Sequence, residues 1–580
     1  MDRRSLLAWV TLPLLLVCGS VEAQEGAPAT FHQTVDVRVV NVDLYVTDKK
    51  GRPVTDLGPD DFILLVDGRE VDLEYFSSPS TGSRSLAKRV LDDVEGDDAK
   101  SVAVPADDLL LVIYFDGYWL TPQDRSRVLD DVAGFVKAQA NAGLRFVVVS
   151  HGPPLEVLAP PTRDSEAVLE AISAMSDEPT RGLERARARR SAYDSIRGIW
   201  EIYTDVPVQL GCGGPCECGW REMLGLWEVY AQNASHRIGV SHSGMRELLS
   251  MLSGLEGRKV VLYVGSGYGQ RPGLDLLQYL MDLCPEYQSE FAAYLLTYDE
   301  SRNLLALAAA ANSKRVTFYP LDAGGLRAAA ASSVDLFDAR LRPSALVGQI
   351  ERANLQAPFA LLADETGGQA ILDANQPLQD LRDLESDFRH VYSLGFTPRG
   401  EPDGETHTLR VELRAKRRGV RLRYRRSFVD HTPDTRMIDR AISAMAFREE
   451  SNPLGVEAEL GGITKISAKE VEVPVRIAVP TRYLTLVPDA DEKLTGRFRV
   501  FLAAHSAGRE WTPWREQFFD LTEADGEEPL QRITVTMNLE PGDYTVGVGV
   551  RDENAMVTSY LVLEMAGARR PFGGGVAHPE

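Results

Sequence analysis

The chain has 580 residues, 85 of them acidic and 63 basic, which gives a formal net charge of −22; hydrophobic residues make up 44%. At about 150 residues per domain this length allows three or four domains, each large enough to bury a core. The charge balance excludes sequence-independent nucleic-acid binding, which needs clustered cations to displace phosphate counterions.

Residues 1–23 read as an export signal. Arg3 and Arg4 make a basic start, Leu6 to Val17 an apolar core, and Val21-Glu-Ala23 resembles a peptidase site. The apolar core is shorter than the ~20 residues that cross a bilayer. Arg3-Arg4-Ser-Leu-Leu also loosely resembles a twin-arginine signal, and Cys18 follows the bulky Val17 where a lipoprotein cysteine follows a small residue. The mature chain is expected to be periplasmic or secreted, with no transmembrane span.

Residues 34–78 read as a small β module. Val40, Val42, Leu44 and Val46 alternate with polar residues, and Asp67-Gly68 marks a hairpin between Phe62–Val66 and Val71–Tyr75. Residues 79–107 read as a linker. Residues 108–430 alternate strands and helices, the pattern of an α/β domain with a mostly parallel sheet. Leu109–Phe115 is apolar throughout, as a strand buried on both faces must be, and it ends at Asp116, where open α/β sheets hold their ligands. Thr121-Pro122-Gln-Asp124 supplies an N-cap, a first-turn proline and an acid, after which Val128, Leu129, Val132, Phe135 and Val136 fall on one helical face. Leu144–Val149 is the next strand and Ser165–Met175 a short helix. A helical, cysteine-containing insertion spans 181–256. Lys259–Val264 and Val316–Leu321 are further strands, helices cover Leu274–Met281 and Leu304–Ala311, and Gln369–Leu372 and His390–Phe396 supply the last strands. Residues 406–428 extend the domain with two more.

From 453 to 566 the period returns to two, with turn signals between short runs, which predicts a β-sandwich. Trp511 and Trp514 are expected to close one of its edges. The Gly/Pro/Arg-rich tail 567–580 is expected to be disordered. The basic runs Arg181–Arg190 and Lys416–Arg426 read as a solvated helix face and a charged edge strand. The fold class is thus α/β plus all-β. Four cysteines remain after signal cleavage: Cys212, Cys216, Cys218 and Cys284. A zinc site would need its fourth ligand from far along the chain, and an exported protein meets oxidising conditions, so two disulfides are expected. Three pairings are open, with Cys284 bonded to one member of the cluster.

Three candidate sites follow. Asp116 could belong to a metal site, Gly265-Ser-Gly-Tyr-Gly269 could cradle a ligand, and His151, Ser266 and Asp116 could form a hydrolytic triad. The glycine loop lacks the rest of a dinucleotide fingerprint, and Val264, two residues before Ser266, excludes a nucleophile elbow. It reads as a tight loop at the top of the sheet.

At Asp116 the chain resembles the von Willebrand factor A domain. That family carries Asp-x-Ser-x-Ser after its first strand, a later threonine and a second acid. Asp116 matches the first acid and Thr180 the threonine, whereas Tyr118 and Leu120 replace both serines and Gly265 stands in the place of the second acid. Residues 36–48, Gly51-Arg-Pro-Val-Thr, Gly257–Val264, Thr317–Ala323, Glu365–Gly368, Tyr392–Phe396 and Arg417–Phe428 together resemble exported bacterial von Willebrand A-related proteins, described chiefly from Acidobacteria. The resemblance implies an A-like α/β domain flanked by the β module and the sandwich, a degenerate metal-dependent adhesion site, no catalytic residues, and no metal or other cofactor. The resemblance bears little on activity; the expectation is binding of another protein or an envelope component at a face made by Asp116, Tyr118, Trp119, Thr180, Ser266 and Tyr268, since A domains take their ligand at this edge of the sheet. An envelope hydrolase using the same cleft and a divalent-cation-dependent adhesion module are the alternatives.

Overall fold

Successive residues of Leu109–Phe115 point to opposite sides of a sheet, and each side has its own apolar core. In the computed structural model, which describes residues 39–566 apart from 80–84, 87–108, 141, 153, 206–210, 326–342, 375–376, 416, 489–492, 507–511, 513 and 523–528, Leu109, Leu111, Ile113 and Phe115 join a core with the helices Pro122–Gln139, Ser165–Ala174 and Pro377–Arg389. Leu110, Val112 and Tyr114 join another with the end of helix Pro215–Leu252 and with Ser301–Ser313 and Ala345–Thr366. The export signal with Cys18, nearly all of the expected linker, Trp511 and the tail lie outside the described residues.

The sheet runs Val316–Asp322, Arg258–Gly265, Leu109–Phe115, Arg145–His151, Leu155–Thr162; all neighbours are parallel except the last pair. The antiparallel edge strand carries Pro160 and Pro161, residues a central strand would not tolerate. Thr121 caps Pro122–Gln139 by accepting from the Asp124 amide at 3.1 Å, and Val128, Val132, Phe135 and Val136 are buried as their spacing predicts.

The strands expected to finish this sheet do not belong to it. Ile371 reaches Leu321 through a single bridge. Tyr392–Phe396 and Arg421–Tyr424 flank Val40–Thr47, and Thr406–Leu413 pairs with Phe62–Val66, all antiparallel. The reason is burial. Val42, Leu44, Phe62 and Leu64 are too few to close a core, and Tyr392, Leu394, Phe396, Val411 and Phe428 complete it. Ser85–Leu86, inside the expected linker, adds a short edge strand to Tyr75–Ser77.

The helix Pro433–Phe447 connects the α/β unit to the last part. Ser443 donates to the Met251 carbonyl at 2.7 Å and Lys314 pairs with Asp439 at 2.7 Å, while Met437 and Ala441 pack on Phe501 and Tyr560. Two antiparallel sheets follow, one built on Val471–Pro480 and Leu530–Leu539, the other on Leu494–His505, Tyr544–Asp552 and Thr558–Met565, with one core between them. Trp514 packs on Phe501 at 5.8 Å. The chain therefore combines an α/β unit with β-rich parts.

In the insertion, Gly182–Asp205 and the first half of Pro215–Leu252 pack with Leu274–Leu283 in a satellite core around Tyr193, Met223, Trp227 and Phe291. Cys216 is bonded to Cys284 and Cys212 to Cys218, which resolves the three open pairings. The first bridge joins residues 68 apart and the second residues 6 apart. Loop-closure entropy puts their removal at about 4 and about 2 kcal/mol respectively. Urea unfolding of a Cys216→Ser/Cys284→Ser variant should therefore show roughly twice the loss of a Cys212→Ser/Cys218→Ser variant, and equal losses would contradict this pairing.

Candidate functional site

From Leu109–Phe115 the chain moves first to Arg145–His151 on one side and later to Arg258–Gly265 on the other. Between the carboxyl ends of the first and last of these strands lies the point where strand order reverses, the usual ligand crevice of an open α/β sheet. Asp116 stands there. Its amide donates to the Val264 carbonyl at 2.9 Å, and its own carbonyl accepts from the Trp119 and Leu120 amides at 3.1 and 2.9 Å, which turns the chain toward helix Pro122–Gln139.

The Asp116 carboxylate is wholly buried. One oxygen, Oδ2, accepts from the hydroxyls of Tyr263 and Ser241, the latter at 3.1 Å. Burial first, and then the Asp116 charge, push the Tyr263 phenol well above its ordinary range, so it stays a donor. His151 Nδ1 is 3.7 Å from Oδ1, and Tyr114 lies stacked between the rings of His151 and Tyr263. Gly244 of the long helix is where His151 approaches, because a β-carbon there would strike the imidazole. One oxygen of the buried carboxylate is thus held by hydroxyl donors, while Oδ1 has no hydrogen-bond partner.

These residues do not fit a hard divalent cation, which needs several oxygen ligands in near-octahedral order. Gly265 and Leu120 offer no side-chain oxygen, and Tyr118 stands where a small hydroxyl is required. Thr180 does reach the same edge: the adjoining Arg181 and Gly182 amides donate to the Gly117 and Leu120 carbonyls at 2.9 and 3.0 Å.

The expected binding face is only partly at the surface. Tyr118 is half-buried, but Trp119 and Tyr268 are buried, their rings 5.8 Å apart, and they serve the core instead of an exposed contact. The Tyr268 hydroxyl shares a 3.1 Å hydrogen bond with His242 Nε2. Ser266 donates its one hydroxyl proton to Asp124 at 2.7 Å, away from His151. Gly267, at φ +74°, backs onto the Leu355 carbonyl, so the glycine loop is shaped by close packing.

The arginines of the insertion were not anticipated as part of the site. Arg185 donates to the Gly267 carbonyl at 3.1 Å. Arg189 meets Asp275 at 2.7 Å and Glu351 at 2.9 Å. Burial would lower the Arg189 pKa, but Asp275, followed by Tyr193 and Glu351, reverses this and raises it. Arg181, whose guanidinium lies 6.0 Å from the Tyr118 ring, and Arg237 complete the group. Arg181, Arg185 and Arg189 are four residues apart, the spacing of one helix face. That spacing was the available signal, whereas nothing in the sequence marks Arg237.

No family model and no curated protein matches the sequence. Among solved structures, the chain has a likeness to the pilus adhesin SpaC from Lactobacillus rhamnosus GG in its open conformation, at 8% identity and a TM-score of 0.24. The match covers 79% of this chain and 52% of that one, so it spans about half the length of the adhesin.

His242 gives the site a pH dependence. Burial lowers its pKa from 6.5 to about 4, so on acidification the unfolded chain takes up this proton before the folded one does. Its contribution is fully present above pH 6.5 and is lost as pH falls toward 4, by about 3 kcal/mol. Urea unfolding between pH 7 and 4 should be markedly less pH-dependent in His242→Gln than in the wild type; parallel curves would show that His242 is not the group responsible.

Proposed function

We propose that this protein is an exported, non-enzymatic binding or scaffold protein of the adhesion type, built on a von Willebrand A-like α/β unit whose metal site has degenerated. The strand order supports the A-like reading, with its reversal between the first and fourth strands and its antiparallel edge. The inward-turned Asp116 carboxylate supports degeneration of the metal site. The observation that carries the binding reading is a local excess of positive charge in a chain of net −22: Arg181 lies against Tyr118, and Arg185, Arg189 and Arg237 line the adjoining pocket, where the two carboxylates paired with Arg189 leave a net positive charge. Such a rim attracts an acidic partner, and arginine and tyrosine are favoured interface anchors. Against the hydrolase alternative stands the commitment of Ser266 to Asp124.

The test is affinity capture of envelope components on the immobilised full chain. Tyr118→Ala/Arg181→Ala should reduce recovery of the specifically captured partner by about tenfold, the effect of ~1.4 kcal/mol. Phe518→Ala, at a 51% exposed position on the C-terminal sandwich, should leave recovery unchanged, and recovery should fall with added salt. Equal recovery by the rim variant and the wild type would reject this face. Heat of Mg²⁺ or Mn²⁺ binding abolished by Asp116→Asn would favour the cation-dependent alternative.

A further inference from the structure

Beside the inward-facing Asp116, a separate cavity of about 40 Å³ opens between the insertion helices, the 269–273 loop and helix Ala345–Thr366. Its walls include Trp119, Arg185, Arg189, Arg237, Glu351 and Asn354, while Asp116, Thr180 and Ser266 are not among them. We propose that this cavity takes a single monoanionic carboxylate group. The proposal deepens the binding reading above and rests on it for its biological setting.

Two wall residues carry buried donors without an acceptor. Trp119 is 2% exposed and its indole Nε1 has no hydrogen-bond partner; Arg237 Nε and Nη2 are likewise buried and unpartnered. Buried polar groups in native proteins are almost always satisfied, so orphaned donors on two residues that line one cavity point to a missing acceptor. Other polar walls are already engaged. Arg189 is held by Asp275 and Glu351, and the Asn354 side chain takes the amide and the carbonyl of Arg271, each at 2.8 Å. Tyr230 also lines the cavity, and burial keeps its hydroxyl protonated, so the open hydrogen-bonding capacity is mainly donor capacity, which suits an acceptor-only ligand.

Charge and size narrow the choice. Three guanidinium groups against the carboxylates of Asp275 and Glu351 leave one positive charge, which matches a monoanion better than a phosphate dianion. A carboxylate is planar, as the guanidinium fork is, and pairs with it through parallel hydrogen bonds. The space admits a group of a few atoms. The same chemistry can come from an acidic side chain of a partner or from a free small acid.

The experiment is calorimetric titration of the full oxidised chain, at constant ionic strength, with sodium acetate, with inorganic phosphate, and with N-acetyl-Ala-Glu-Ala-amide, whose only charge is the side-chain carboxylate. Acetate should give saturable heat and phosphate should bind about tenfold more weakly. Arg237→Gln and Trp119→Phe should each weaken acetate by about tenfold, as expected for loss of a charge-assisted hydrogen bond. Trp119→Phe removes the indole donor while keeping an aromatic ring at the position, so it remains informative where Arg237→Gln fails to fold. Peptide binding at least as tight as acetate assigns the source to a partner's side chain, and weaker peptide binding assigns it to a free small acid. Absence of saturable acetate heat, preference for phosphate, or unchanged binding in both variants would overturn the proposal. These outcomes are independent of the capture experiment: loss of capture in the rim variant without acetate binding sinks this site alone, and acetate binding with undiminished capture sinks the partner-binding face alone.

Discussion

The pairing of Leu109–Phe115 with Arg258–Gly265, in the register that sets Phe115 opposite Val264, is the constraint on which the site depends. A strand buried on both faces leaves its polar backbone nowhere to go except into its neighbours. At the end of the pairing, the Asp116 amide still donates to Val264, and the next turn is closed by the Asp116 carbonyl. That geometry places a carboxylate at the reversal point of the sheet whatever the surrounding loops do. The two apolar cores above and below have no use for it, so its surroundings decide its role.

Here the surroundings turn it inward. Burying a carboxylate is costly unless hydrogen bonds from the protein offset it, and here they reach one oxygen, Oδ2, and not Oδ1. Tyr263 comes from the neighbouring strand and Ser241 from the long crossover helix, and between them they engage Oδ2. The positions that would present further oxygens outward hold Tyr118, Leu120 and Gly265. The cationic side chains near this edge, Arg181, Arg185, Arg189 and Arg237, come instead from the insertion.

What was legible beforehand follows from locality. Leu109–Phe115, Lys259–Val264 and Val316–Leu321 announced themselves because a strand covered on both faces needs an unbroken apolar run. Helix Pro122–Gln139 was marked by its own cap and stripe. Tyr392–Phe396 was recognisable as a strand but not as a partner of Val40–Thr47, since period two carries no address for a partner some 350 residues away. The edge strand Leu155–Thr162 was hidden by its prolines. Helix Pro433–Phe447, outside every expected element, does carry a signal in its Thr432-Pro433 start and its Met437, Ala441, Ala444 spacing, but it is short and lies between two stretches of period two. In the candidate site, the place of Asp116 could be read from the strand it ends and that of Thr180 only from the resemblance, whereas the burial of Trp119 and Tyr268 could not be read at all. Aromatic residues on a loop look alike from sequence whether they face solvent or fill the space beneath a helix. The arginine run read as solvated because most such runs are; Asp275 and Glu351, which draw Arg189 inward, are remote in sequence.

One helix ties these features together. Pro215–Leu252 places Cys216 and Met223 in the satellite core, Arg237 at the cavity, Ser241 and His242 against Asp116 and Tyr268, and Met245 to Leu252 in the main core. Its start is bonded through Cys216 to Cys284, and its end is gripped by Ser443 of the helix that leads to the sandwich. A helix fixed at both ends cannot slide or rotate without breaking contacts in two cores. The donors it presents are consequently held in place, so the binding proposed above would not pay to order them. The disulfide, far from the sheet edge in sequence terms, thus acts on the site through the rigidity of the helix between them.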